Sequence, residues 1–289
     1  MEASIIIVNW NTKEYLKRCL LSLRKQQDVD FEIYVVDNNS IDGSKEMIRG
    51  EFPGVHTISN TVNRGFAGAN NQALRFAKGN VIILMNPDIE LQTNYDLRRI
   101  VDASAKRNSG ILGPLLLNAD LSIQPSVRSL PTFFSLLLIM MKLHVLFAWL
   151  PSLKKYNCQS FNYKKPQEVQ QVSGALFAIS RDCLEKVGLL DERFWIWFEE
   201  VDYCKRARDA HFSVWFDPSV SVIHYGGQSF QQVIPRTRQA MFNASIRAYA
   251  KKHFSFWQYV ALTLISPLSI ALSYLTPHKR RLTSYAHTK

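Results

Sequence analysis

The chain has 289 residues, 47% of them hydrophobic and 20% charged, with 12 glycines and 11 prolines, a composition that excludes disordered, collagen-like and coiled-coil proteins. That length suits one large α/β domain with an appendage, because single cores stop growing near roughly 250–300 residues. The net charge is +11, yet residues 1–120 and 168–217 together carry −4, and all the excess lies in two acid-free segments, 121–167 with six basic residues and 218–289 with nine.

Met1-Glu2-Ala3 runs straight into a short apolar stretch, too brief for the hydrophobic region of a signal peptide, so none is expected. Ser4–Asn9 reads as a buried strand, and Tyr15, Leu16, Cys19, Leu20 and Leu23 then recur at helical spacing. Phe31–Asp37 is a second strand, followed by Asn38-Asn39-Ser40 and an Asp42-Gly43 turn. A helix around Ser44–Arg49, a strand at Val55–Ser59, a helix from about Gly68 to Ala77 and the strand Val81–Met85 follow. Strands alternating with helices predict a doubly wound, mostly parallel sheet whose ligands sit beyond the carboxyl ends of the strands. Asn9-Trp10-Asn11, Asp37-Asn38-Asn39 and Asn86-Pro87-Asp88 stand at such ends.

Further along, a sheet-like region at Val172–Ile179 precedes a helix over Arg181–Val187 that Gly188 stops. The acidic run Phe198–Asp202 opens a helix over Tyr203–Ala210, and Val214–Phe216 and Val220–His224 read as closing strands. Neither GxGxxG nor GxxxxGK[ST] occurs, so dinucleotide-fingerprint and P-loop chemistry are not signalled. The four cysteines, Cys19, Cys158, Cys183 and Cys204, form no CxxC pair, which points away from a disulfide scaffold or zinc site and towards a reducing compartment.

Asp88 follows an apolar strand and Pro87; it reads either as a capping residue or as a carboxylate holding Mg²⁺ or Mn²⁺ on a phosphate. Glu199, Glu200 and Asp202 crowd three carboxylates into four positions. A solvated helix start favoured by the macrodipole is the plain reading. The flanking Phe194, Trp195, Trp197 and Phe198 argue instead for a low dielectric that raises carboxyl pKa values and suits a general base.

Six ordered motifs, "SIIIVNWNTKEYLKRCLLSL", "YVVDNNSIDGS", "NRGFAGANNQAL", "VIILMNPDIEL", "SGALFAISRDCLEKVGLLDERFWIWFEEVDYCKRARDAHF" and "VIHYGGQS", resemble a family 2 glycosyltransferase with a GT-A fold, rhamnosyltransferase-like branch. The resemblance spans roughly residues 3–230 and implies transfer from a nucleotide-diphosphate sugar. It assigns Asn9 and Asn11 to the nucleotide, Asp37 to the ring N–H of a uracil or thymine base, and Arg64 and Gly65 to the diphosphate loop. Asn70 is then a donor-site residue or a simple cap of the helix it starts, and Asn86 joins the donor site in place of the first acid of an Asp-x-Asp motif. Asp88 becomes a metal carboxylate and His224, before Tyr225-Gly226-Gly227, either its partner in the metal shell or a structural histidine. Glu200 matches the family's base, although most relatives have Asp there, with Glu199 and Asp202 orienting base or acceptor.

The two acid-free segments carry the longest apolar runs. Residues 132–150 are expected to form an interfacial or half-buried helix, with a packed helix-turn-helix as the alternative, because Lys142 sits mid-run. Residues 254–275 are uncharged, flanked by Lys251-Lys252 and His278–Arg281, and are expected to form a re-entrant or surface-lying hairpin bent at Pro267 on an anionic membrane, with a membrane span as the alternative. Apolar runs between the charges favour lipid over nucleic acid as partner. The expected layout is a catalytic domain over 1–230, with the insertion at about 121–167, and a membrane-associating segment over 231–289. The expected function is an inverting, metal-dependent transferase on the cytoplasmic face of the inner membrane, moving rhamnose onto a lipid-linked saccharide in cell-surface polysaccharide synthesis. Transfer of another hexose or N-acetylhexosamine, or a silent sugar-nucleotide-binding scaffold, are the alternatives.

Overall fold

The computed structural model describes residues 1–228 and 233–273. Strand β1 (Ala3–Asn9) is buried along its whole length. Its alternating side chains feed two separate cores, as a parallel strand covered on both faces requires. Ile5 and Ile7 pack with Leu16, Leu20 and Leu23 of helix α1 (Lys13–Arg24). Ile6 and Val8 pack with Ala69, Ala73 and Leu74 of α3 (Gly65–Leu74) on the other face. Between these helices run β2 (Phe31–Asp37), α2 (Ser44–Glu51) and β3 (His56–Ser59), and after them come β4 (Val81–Met85) and β5 (Ile89–Leu91). The next elements are α4 (Asp96–Arg107), β6 (Ile111–Leu117), β7 (Ile123–Gln124), β8 (Val127–Arg128), α5 (Phe133–Met140) and α6 (Pro151–Tyr156). Strands β9 (Gln167–Glu168), β10 (Gln171–Val172) and β11 (Leu176–Ser180), helices α7 (Arg181–Val187) and α8 (Glu199–Asp209), strand β12 (Val214–His224) and helices α9 (Pro235–His253) and α10 (Phe256–Leu272) complete the described chain.

The main sheet has the order β3-β2-β1-β4-β11-β6-β12-β5. Parallel pairing sets Asn9 level with Asp37 and Ile7 level with Met85, so β1, β2 and β4 end together. Strand β11 is antiparallel to both β4 and β6, and β12 is parallel to β6. Two reversals restore the original direction, so β12 brings His224 to the edge where β4 delivers Asn86.

Several expected boundaries move. Helix α3 begins at Gly65, not Gly68, and α8 already begins at Glu199, so the acids occupy its first turn. The two closing strands are one, β12, with a register shift between Asp217 and Ser221. The expected helix over 132–150 is replaced by the helix-turn-helix alternative: α5 stops at Met140, the chain turns with Lys142 in the left-handed region at φ 61°, and α6 follows. Nor does Pro267 bend a hairpin, because α10 runs unbroken from Phe256 to Leu272. The basic tail His278–Arg281 and the expected boundary at 230 lie outside the described residues.

A third core joins Leu136, Ile139 and Met140 of α5, Phe194, Phe198 and Val201 of the acidic region, and Ile246, Tyr249 and Leu262 of α9 and α10. The C-terminal helices therefore seat directly against the start of α8. The seam between α9 and α10 is polar: Asn243 donates to the Ser266 carbonyl at 3.1 Å, and Arg247 donates to Ser266 Oγ at 3.0 Å. Ser266 and Ser269 are buried, whereas Trp257, Leu264 and Leu268 on the same helix are 77%, 74% and 47% exposed. No helix among the described residues is long and apolar enough to cross a membrane.

Candidate active site

The first cluster lies where β1 and β2 end. Asn9 is fully buried and donates through Nδ2 to Asp37 Oδ2 at 3.1 Å and to Ser40 Oγ at 3.0 Å. Asp37 also accepts from the Ser40 N–H at 2.9 Å and pairs with Lys45 at 3.5 Å. Its carboxylate is wholly enclosed, so the direct contact with a base expected of it has no opening in this arrangement; Asp37 instead organises the loop beneath Asn11. Asn11 takes the left-handed conformation at φ 51° and accepts from the Ile41 N–H at 2.8 Å.

Asn38, quoted in the sequence motif but given no role there, builds the neighbouring loop. Its side chain donates to Asn63 Oδ1 and the Gly65 carbonyl, and accepts from Arg64 N and Asn60 Nδ2. Arg64 is exposed at the mouth of this loop. Gly65 has φ 72°, and a Cβ there would lie 2.4 Å from the Trp195 carbonyl oxygen, so only glycine permits both the turn and the close approach. Phe66 N–H donates to that same carbonyl at 2.7 Å, which fixes α3 against the aromatic stretch before the acids. Asn70 is no cap: it lies inside α3, buried, with Nδ2 bonded back to the Phe66 carbonyl at 2.9 Å.

The second cluster stands at the ends of β4 and β12. Asn86 N–H donates to the Ala175 carbonyl at 2.8 Å, and Tyr225 N–H to the Asp88 carbonyl at 3.0 Å, locking the Asn-Pro-Asp turn between two strands. His224 Nε2 stands 3.4 Å from Asp88 Oδ1 and 3.5 Å from Asn86 Nδ2. The opposite ring nitrogen, Nδ1, lies 2.6 Å from Gln124 Oε1. Nothing local in the sequence linked Gln124, a hundred residues earlier in the chain, to this histidine.

The acidic turn completes the site. Trp197 and Phe198 both have positive φ, 61° and 70°, immediately before α8, a backbone cost that such residues meet mainly at functional turns. Glu199 is buried, Glu200 half-buried, and each has one oxygen without a hydrogen-bond partner among the described residues. Both line a small cavity with Phe66, Leu84, Gly174, Phe177 and Leu190. A Cβ on Gly174 would stand 3.4 Å from that of Glu200, which places Glu200 beside the segment that hydrogen-bonds Asn86. Burial, reinforced by the Glu200 charge, pushes the Glu199 carboxyl well above its usual range, and burial pushes Glu200 up, against the pull of the N–H groups at the helix start.

Asp202 does not line that cavity. It is fully buried and pairs with Arg206 at 2.8 Å, Lys252 at 2.8 Å and His253 at 2.7 Å. Burial alone would raise its carboxyl, but the bonds from His253, Lys252 and Arg206 outweigh burial and hold it low. The expected role of orienting base or acceptor gives way to one of fastening α8 to α9, a link for which the sequence carried no local signal.

Among the described residues no group of three or more His, Cys, Asp or Glu side chains is gathered for a metal. At the strand edge, Asp88 and His224 bring two such donor groups together. That pair fits an ion that takes one carboxylate from the protein and further oxygens from a phosphate, with the imidazole held by a second-shell bond through its other nitrogen.

A chain with this edge of strand-end polar residues finds its counterparts among enzymes acting on sugars. The model of "Glycosyl transferase family 2" matches residues 4–188. The low-salt glycan biosynthesis hexosyltransferase Agl10 of Haloferax volcanii is 27% identical over 255 residues, covering 86% of this chain and 72% of that one. The N-acetylglucosaminyl-diphospho-decaprenol L-rhamnosyltransferase of Mycobacterium tuberculosis is 26% identical over 270 residues, covering 88% and 86%. Among solved structures, the mannosyltransferase PcManGT of Pyrobaculum calidifontis, in complex with GDP-Man and Mn²⁺, superposes with a TM-score of 0.58 at 15% identity, covering 100% of this chain and 76% of that one. Staphylococcus aureus TarS 1-349 with UDP superposes with a TM-score of 0.55 at 14% identity, again covering 100% and 76%. With the family model matching more than half of its length and with this GT-A sheet, the chain belongs to glycosyl transferase family 2 and is a glycosyltransferase.

Proposed function

We propose that this glycosyltransferase is inverting and divalent-metal-dependent, and that it moves rhamnose from a nucleotide-diphosphate donor onto a lipid-linked saccharide in cell-surface polysaccharide synthesis. The observation that carries the reading is the convergence of His224 Nε2 and Asp88 Oδ1, 3.4 Å apart, at the strand edge that also receives Asn9 and Asn86. A bound Mg²⁺ or Mn²⁺ would supply charge neutralisation to the leaving diphosphate, and an imidazole donor favours Mn²⁺. Asn11, Arg64 and the Gly65 turn bind the nucleotide and its phosphates, with Asn9 and Asp37 shaping the floor. Asn86 and Asn70 line the sugar side.

Glu200 is the base: its half-buried position leaves it reachable by an acceptor hydroxyl, whereas Glu199 is buried. As the acceptor oxygen forms its bond to the anomeric carbon, the carbon–oxygen bond to the diphosphate breaks on the opposite side. The hydroxyl proton passes to Glu200, and the anomeric configuration inverts. Glu199, kept protonated by burial beside Glu200, holds the neighbouring oxygen in place. The printed name of the mycobacterial relative supports rhamnose and a polyprenyl-diphosphate-linked acceptor, and the Mn²⁺ in the mannosyltransferase complex supports the metal.

The lipid-linked acceptor calls for work at a membrane, here its cytoplasmic face. The outward apolar side of α10 and the exposed Val145, Leu146 and Trp149 of the turn after α5 support that reading. The catalytic test is release of nucleoside diphosphate from a panel of sugar nucleotides with added Mn²⁺ and a lipid-linked acceptor. Thymidine or uridine diphosphate rhamnose is expected to be the best donor. Asp88→Asn should lower turnover by on the order of 10²-fold or more, the usual cost of losing one electrostatic stabiliser. Turnover indifferent both to EDTA and to Asp88→Asn would remove the metal from the mechanism.

A further inference from the structure

We infer that Gln124 is the positioning residue that fixes the tautomer of His224, so that Nε2 presents a lone pair, not a proton, to Asp88 and Asn86. The inference rests on the reading that His224 acts through Nε2, but its evidence is the direction of the hydrogen bonds around Gln124. The Nε2 amide nitrogen of Gln124 faces two oxygens: Asn118 Oδ1 at 2.9 Å and the backbone carbonyl of His224 at 3.4 Å. A backbone carbonyl only accepts. That end of the Gln124 amide is therefore its donor end, and Oε1, 2.6 Å from His224 Nδ1, is its acceptor end. Two acceptors cannot share a hydrogen bond, so His224 Nδ1 carries the proton.

The β6–β7 turn enforces the same direction from further out. Asp120 Oδ1 accepts from Ser122 Oγ at 2.5 Å, which leaves Ser122 Oγ to accept from Asn118 Nδ2 at 2.9 Å. Asn118 Oδ1 must then accept from Gln124. The polarity runs unbroken from the Asp120 carboxylate to the imidazole. At the far side of the ring, the amide Nδ2 of Asn86, a donor, stands 3.5 Å from His224 Nε2. That contact suits a lone pair at Nε2, whereas Asp88 Oδ1, 3.4 Å from the same nitrogen, is a second acceptor, and the two lone pairs converge as they would to hold a cation between them. A neutral imidazole with its Nδ1–H committed is the form in which Nε2 ligates a metal, and second-shell partners of this kind orient the ring and raise its basicity. Gln124 sits on β7, paired with Leu116 of β6, so a sheet strand and not a loose loop sets its position.

The test reads the tautomer directly. In the intact protein, the ¹⁵N imidazole shifts of His224, assigned with a His224→Gln variant, are recorded at about pH 9, above the ordinary histidine range. The wild-type protein should show the Nδ1–H form, although an unconstrained imidazole favours Nε2–H. Gln124→Leu should relax His224 towards Nε2–H, and Gln124→Glu, which keeps an acceptor facing Nδ1, should restore Nδ1–H. Mn²⁺ affinity, titrated with UDP and then thymidine diphosphate present, should fall about 10–100-fold in Gln124→Leu and recover in Gln124→Glu. An Nε2–H signal in the wild-type protein overturns the inference, whether or not any variant folds. So does an unchanged Nδ1–H signal in Gln124→Leu. A wild-type protein with the Nδ1–H form that binds no Mn²⁺ leaves the assignment of Gln124 standing and defeats the metal reading instead.

Discussion

Glu199 and Glu200 are adjacent in sequence and unlike in environment, and that difference divides their roles. Glu199 is buried, and the charge of Glu200 beside it adds to the burial that raises its carboxyl. The pair shares one strongly disfavoured second charge, so the proton stays on the buried member and the half-buried Glu200 ionises. Replacing a carboxyl that is already neutral by its amide changes little, so Glu199→Gln should keep turnover within a few-fold. Glu200→Gln removes the base we propose and should lower kcat by about 10²–10⁴-fold with donor affinity intact. The reverse outcome in steady-state assays would exchange the two roles. Stability carries the matching sign. A carboxyl raised above its ordinary 4.5 contributes stability that is complete below that value and fades as pH rises through its folded-state value. Thermal melts of the wild-type protein should therefore decline from about pH 4.5 upward, and Glu199→Gln should decline less.

At the scale of elements, the junction of α8 and α9 holds the acidic turn where it is. Asp202 binds Arg206 within its own helix and Lys252 and His253 from α9, while Arg206 reaches on to the carbonyls of Val187 and Leu189. Asp202→Asn would leave three cationic or hydrogen-bonding side chains around a neutral group in a buried site, a loss of about 3 kcal/mol. Because partners depress the Asp202 carboxyl, its contribution is complete above its ordinary 3.8 and vanishes as pH falls through the lower folded-state value. Urea unfolding at pH 7 should show the full penalty for Asp202→Asn, and the penalty should shrink as the pH is lowered below 3.8; a penalty that does not change with pH would mean that the ion pairs are not what holds the junction. This junction also marks where the sequence ceased to be legible. Strands β1, β2 and β4 were readable because each is a short apolar run closed by polar residues. Helix α7 was readable from Gly188, which takes φ 83° at its end. By contrast α4 averages strongly polar around a narrow buried stripe of Leu97, Ile100 and Val101, and β6 follows it with Gly113 and Pro114 in its middle; neither announces itself. The unbroken passage of α10 through Pro267 depends on the seam with α9, and the meeting of Gln124 with His224 depends on sheet order. Only tertiary structure brings such partners together, and no local periodicity encodes them.

For the molecule as a whole, α10 poses a question of solvent. A helix folded for water hides its leucines and displays its serines. Here Ser266 and Ser269 are buried against Asn243, Gln239 and Arg247, while Trp257, Leu264 and Leu268 face outward. Lys142, at the turn after α5, bonds Gln239 on the same seam, so the exposed Leu146 and Trp149 leave the body beside α10. An apolar face of this kind, outside a polar seam, matches a surrounding medium less polar than water. Exposed Lys154, Lys155 and Lys251 lie near its ends in sequence, and no acid occurs in residues 121–167 or 218–289, which selects anionic lipid as the partner we propose. Burying a side chain such as tryptophan or leucine contributes roughly 1.5–3 kcal/mol, and each lysine at an anionic surface on the order of 1 kcal/mol. Flotation of the full chain with vesicles rich in phosphatidylglycerol should therefore recover the protein in the lipid fraction, and neutral vesicles should recover less. Raising the salt should narrow that gap by screening the lysines without abolishing binding to either vesicle. The substitutions Trp257→Glu and Leu264→Glu lie on the outer face, away from the third core and from the strand-edge site, so they should each weaken flotation about tenfold or more while leaving nucleoside diphosphate release from a soluble acceptor analogue unchanged. Full-length protein that stays out of both lipid fractions would assign this face to a protein partner or a second copy of the chain, and the lipid-linked acceptor would lose its structural support.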